Sequence, residues 1–175
     1  MSISLTVKLV KPIVISAVLP KIGAALREVL GLSFTPTIVA EEYVSRARVP
    51  LRSDTISLES GMIFFEVANE PEIASVVTYQ TEHPLLSSEE QGVFTGVEVG
   101  SQRSPLEYAL AAAVAAAFGR ESGAPVDDYV PFFSEALSQS PDSFINAIRV
   151  GGAFDDYRVA AQTFYESLPR NVGLR

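Results

Sequence analysis

Two adjacent carboxylates, Asp127 and Asp128, close the stretch SPLEYALAAAVAAAFGRESGAPVDDY (104–129) and are the first residues that suggest a chemistry. Paired acids bind divalent metals or exchange protons when both reach the same atom. On an extended segment neighbouring side chains point to opposite faces, so only one of the two reaches a given site, joined there by Glu66 or Glu98 from a neighbouring strand. The structural alternative has one aspartate capping the following turn and the other solvated. Glu41, Glu42 and Arg103 complete the polar groups available to a small ligand or metal. Arg46, Arg48 and Arg52 follow the two glutamates as a mixed-charge rim or an anion pocket. The loop GSQRS (100–104) brings backbone N–H groups and Arg103 to a helix start, but Glu107 already answers that positive end.

Other chemistries are closed. The chain has no cysteine and one histidine, His83 in TEHPLL, which removes thiolate sites, disulfides and multi-histidine zinc centres. His83 precedes a proline in an acid-rich loop and reads as a surface turn residue, so no nucleophile, base and orienting group assemble. Neither a dinucleotide fingerprint nor a Walker loop occurs. The expectation is no catalytic residue, no metal and no cofactor.

The net charge of −8 is unevenly spread. Residues 1–52 hold seven Lys/Arg against three Glu (+4), and 53–102 hold nine acids and no base (−9). Residues 103–175 hold six Arg and nine acids (−3). Nucleic acid is a poor partner, because phosphate neutralisation needs clustered bases. An acidic face made of Glu59, Glu66, Glu70, Glu72 and Glu82 would suit a basic protein, and the plainer reading of the same charge is solubility.

The elements that must position these groups follow from periodicity. Ile3, Leu5, Val7 and Leu9 alternate with Ser4, Thr6 and Lys8 as a strand over 3–10. A helix is expected over 17–30, starting near Leu19 because Pro20 suits a first turn, and stopped by Gly31. Residues 34–49 read as one extended segment. Strands are expected over 55–68 and 73–82, joined by NEPE, and over 92–100. Ser104-Pro105-Leu106-Glu107 is a capping box opening a long helix over 105–121, whose alanines allow close approach. A short extended piece follows, then helices over 131–148 and 155–168, the latter capped by Asp155 or Asp156. The order predicts an α+β fold: an antiparallel or mixed sheet of about five strands, with the Ala-rich and N-terminal helices packed on it. One domain spans 1–175, with sheet and packing helices in 1–130 and a helical C-terminal extension in 131–175. The apolar run 12–20 is too short and Pro-bounded for a leader, and no segment approaches the roughly 18 apolar residues of a membrane span. A cytoplasmic protein without membrane contact is expected.

The segment 104–129, in which an Ala-rich helix ends in a Gly turn and a short strand with Asp, resembles small bacterial α/β immunity-type domains of polymorphic toxin systems. The resemblance covers 26 of 175 residues and carries no residue roles. It implies a protein that binds and blocks a partner, and the acidic segment 53–102 would then suit a basic one such as a nuclease toxin. Two other readings remain open. One is a metal-dependent enzyme or ligand-binding domain with a pocket between sheet and C-terminal helices. The other is a homodimer through an open sheet face bearing MIFFEV, with Phe64 at its contact.

Overall fold

The computed structural model describes residues 3–82, 85, 87–88 and 90–169. In chain order it contains β1 (Ser4–Lys8), β2 (Ile13–Val14), α1 (Ile15–Leu30), β3 (Ile38–Val44), β4 (Ala47–Val49), β5 (Thr55–Ile56) and β6 (Met62–Val67). Then come β7 (Ile73–Thr81), β8 (Gly92–Val99), α2 (Pro105–Ser122), β9 (Val126–Asp127), β10 (Ser138–Gln139), α3 (Pro141–Ile148) and α4 (Tyr157–Ser167). Among the described residues eight strands form one antiparallel sheet in the order β10-β9-β1-β8-β7-β6-β3-β4, and β2 pairs with β5 apart from it.

The α+β class is as expected; the sheet is wider than the five strands expected. Strands of two or three residues, such as β4, β9 and β10, are too short to show a period. Residues 34–49 are a hairpin rather than one segment, because Ser45 and Arg46 both take positive φ (53° and 69°) and turn β3 back into β4. Of 55–68, only β6 joins the large sheet. The expected helix over 131–148 begins at Pro141, after an irregular stretch and the two residues of β10, with Ser140 as its cap.

Helix α1 also starts earlier than read, at Ile15, and Val14 supplies no side-chain cap. Asp54, 38 residues along the chain, accepts from the Ser16 N–H and hydroxyl. A cap brought by tertiary structure leaves no local signature. The stop at Gly31 is as read, with φ 60° and its N–H donated to the Arg27 carbonyl.

Helix α2 sits at the centre. Every residue from Leu106 to Gly119 is buried, and seven alanines from Ala109 to Ala117 are fully so. It lies against β1, β7 and β8 on one side and contacts α1, α3 and α4 on the others. Such a helix must be apolar all round, and small side chains let the layers on either side close on it. The capping box forms, with Ser104 Oγ accepting from Glu107 N at 3.2 Å and Glu107 Oε2 from Ser104 N at 3.3 Å. Gly100 makes room for that buried carboxylate: a Cβ there would stand 2.2 Å from Glu107 Oε1.

Candidate functional site

Strand alternation divides the sheet's side chains sharply. Leu5, Val7, Val97, Ala74, Val76, Ile63, Phe65 and Val67 point toward the helices and are buried. The alternate set points away, to a face on which no described helix packs. The register arranges that set in rows. Lys8, Phe94 and Tyr79 stand side by side, as do Ser4, Glu98, Ser75, Phe64 and Glu41. A third row runs from Asp127 through Thr6 and Gly96 to Val77, and at the far side Met62, Tyr43 and Arg48 stand side by side.

Aromatic rings stand in the middle of this open face and charges accompany them. Tyr43 meets Phe64 edge-on at 5.4 Å, and the Arg48 guanidinium lies 5.0 Å from the Phe64 centroid. Arg48 also bonds Glu66 at 2.8 Å and reaches Glu41 at 3.5 Å. Toward the other end Tyr79 stacks on Phe94 at 6.0 Å, and Lys8 Nζ lies 5.9 Å from the Phe94 centroid. There the face deepens into an open groove of about 570 Å³. Thr6, Tyr79, Thr81, Phe94, Asp127 and Tyr129 line it, with Lys8, Glu90 and the 123–125 turn at its margins.

The two aspartates part as strand geometry requires. Asp127, paired with Thr6 and Ser138, faces the groove and accepts a long 3.5 Å hydrogen bond from the Tyr129 hydroxyl. Asp128 is 1% exposed on the inner side, where Oδ2 accepts from the Phe133 N–H at 2.8 Å and Ser134 N–H at 3.4 Å. Among the described residues its Oδ1 has no hydrogen-bond partner, and burial pushes its carboxyl above the usual range.

Glu41 and Glu42 part likewise. Glu41 belongs to the open face, whereas Glu42 is buried beneath the 50–61 segment. There Arg52 holds it with two bonds of 2.6 and 2.9 Å, and the Gly61 and Arg52 N–H groups add 3.1 and 3.3 Å. That guanidinium, aided by the backbone donors, lowers Glu42 to about 2 against desolvation. Arg103 stands in the turn before α2, at φ 52°. The polar groups considered for a ligand or metal are therefore in five separate places, and no set of three metal-binding side chains occurs among the described residues. The space between the sheet and the C-terminal helices is occupied by α2 and by the buried rings of Phe133, Phe144 and Phe164.

The five glutamates of the expected acidic face are also dispersed. Glu66 stands on the open face. Glu59 lies in the turn before β6, Glu70 and Glu72 in the β6–β7 connection, and Glu82 follows β7, where Gln80 bonds it. His83 lies outside the described residues. Lys8, Tyr43, Tyr79, Phe94 and Tyr129 were not among the residues singled out in sequence. Their signal is the polar-side phase of each strand: an aromatic there, as in GVFTGVEV, occupies a solvent-facing position. No described helix is long and apolar enough to cross a membrane. Comparisons with protein-family models, curated proteins and solved structures give no match for the chain.

Proposed function

We propose that the chain is a non-enzymatic, cytoplasmic protein-binding domain that docks a basic partner on the open face of its sheet. One observation carries the reading: a broad face without a helical cover bears rings interleaved with charged side chains. Interface cores are enriched in Tyr, Phe and Arg of this kind, and the rows supply Tyr43, Phe64, Tyr79, Phe94 and Arg48. Its acids, Glu41, Glu66, Glu98 and Asp127, outnumber Lys8 and Arg48, and the net charge of −8 extends the same sign over the molecule. Glu59, Glu70, Glu72 and Glu82 act at the periphery, through the long-range field rather than by contact. The likeness of residues 104–129 to bacterial immunity-type domains supports blockade of a basic toxin as the form this binding takes.

The test is to isolate the partner complex at low salt and map amide hydrogen exchange on it. Protection is expected over β3, β6, β7 and β8, and Phe64→Asp should abolish the complex; because it sets a carboxylate opposite Glu41, its thermal midpoint is measured alongside to show that the variant folds. Protection over α1 and α3 instead, or full binding by the Phe64 variant, would refute the reading. Protection that grows with concentration in the isolated protein assigns the face to a second copy of the chain.

A further inference from the structure

The open face is not uniform. Among the described residues it carries an open groove of about 570 Å³ toward β9, a volume within the roughly 300–1,000 Å³ range of ligand sites. Three rings stand in its lining, Tyr79, Phe94 and Tyr129, the last 66% exposed. Asp127 supplies a carboxylate among them, held on one side by the Tyr129 hydroxyl. Among the described residues its side chain takes only that one 3.5 Å hydrogen bond, so it keeps acceptor capacity for an occupant of the groove that it lines. Thr6 and Thr81 add hydroxyls. Glu90 adds a second negative charge, its carboxylate fixed by the Ser87 N–H and hydroxyl at 2.8 Å each.

These features select an occupant. An anion meets two carboxylates against the one ammonium of Lys8, which already lies over Phe94, and a purely apolar group leaves Asp127 and the hydroxyls unanswered. A cation with a flat, stackable head satisfies both rings and carboxylate. Guanidinium does so better than ammonium, because its planar fork gives two parallel hydrogen bonds to one carboxylate and lies against an aromatic face. Lys8 over Phe94 is a contact of cation and ring already made within the chain. Resting on the reading of the open face as a partner-docking surface, we propose that this groove receives an arginine side chain of the partner protein. Asp127 takes the guanidinium end-on, and Tyr79, Phe94 and Tyr129 enclose its stem.

The test uses short peptides as probes, so that it does not depend on having the partner. The full chain, isotope-labelled, is titrated with Gly-Arg-Gly, Gly-Lys-Gly and Gly-citrulline-Gly while amide shifts are followed. Saturating shifts confined to Thr6, Phe94, Asp127 and Tyr129 are expected with the arginine peptide. Affinity should be about tenfold weaker for lysine and absent for citrulline, which keeps the shape and loses the charge. Asp127→Asn, which keeps an acceptor for the Tyr129 hydroxyl and removes the charge, should lose the arginine response. Tyr129→Ala, at an exposed position, should weaken it without risk to folding. Equal responses to citrulline and arginine, or an unaltered titration in the Asp127 variant, overturn the inference. A partner complex sensitive to Phe64→Asp but not to Asp127→Asn retains the docking face and refutes the arginine. An arginine peptide that binds while no partner protects the face refutes the partner as its source and sinks the docking reading with it.

Discussion

Glu42 shows how a charge can be buried at the margin of a sheet and still stabilise it. The residue is 5% exposed, while its partner Arg52 stands largely in solvent. The carboxylate therefore gains four donors without requiring the guanidinium to be dehydrated, which is the costly half of a fully buried ion pair. Because its folded pKa is lowered from 4.5 to about 2, its contribution is present in full above about pH 4.5. It is lost as pH falls toward about 2. Thermal unfolding of the wild type and Glu42→Gln across pH 2–7 should show it: the variant is less stable at neutral pH, and the gap closes in acid. Parallel curves would remove Glu42 from the acid limb. Asp128 and Glu107 shift in the opposite direction, raised by burial. Each therefore favours the fold at low pH and withdraws that support as pH rises through its folded pKa.

At the scale of elements, α2 sets the spacing between the layers. Its alanines touch sheet on one side and helices on the others, leaving no face on which a longer side chain reaches solvent. Ala113→Leu should cost about 1–3 kcal/mol by overpacking, read as a lower urea midpoint with unchanged slope. Ser104→Ala should cost about 1 kcal/mol by losing the cap. An Ala113 variant as stable as wild type would mean that the layers can part. The capping box, the helix itself and the alternation of β1 are all legible in sequence, because each is a local pattern that the final structure keeps. The Asp54 cap on α1 and the Glu42–Arg52 clamp are not, since both depend on chain segments that meet only after folding. The open face falls between these cases. Its strands β1, β7 and β8 are readable singly, but the rows that align Lys8 with Phe94 and Tyr79 need the register, and register is a tertiary fact.

For the whole molecule, charge acts before contact. A net charge of −8, with nine acids and no base in 53–102, produces a field that the proposed basic partner would meet once within the roughly 10 Å screening length at 0.1 M salt. Raising salt from about 0.05 to 0.3 M should lower the association rate on the order of tenfold and leave dissociation nearly constant, as stopped-flow mixing would show. A salt-insensitive association rate would confine recognition to the contact patch.

The two outermost strands bear on the same question from a different side. The sheet ends in three residues at β4, which Pro50 follows, and in two at β10. Neither offers enough unpaired backbone to template another chain, and proline has no N–H to give. Lateral growth into fibrils is thereby discouraged at both ends. A protein so protected along its borders can present rings on the flat of its sheet without inviting its own copies to stack strand by strand.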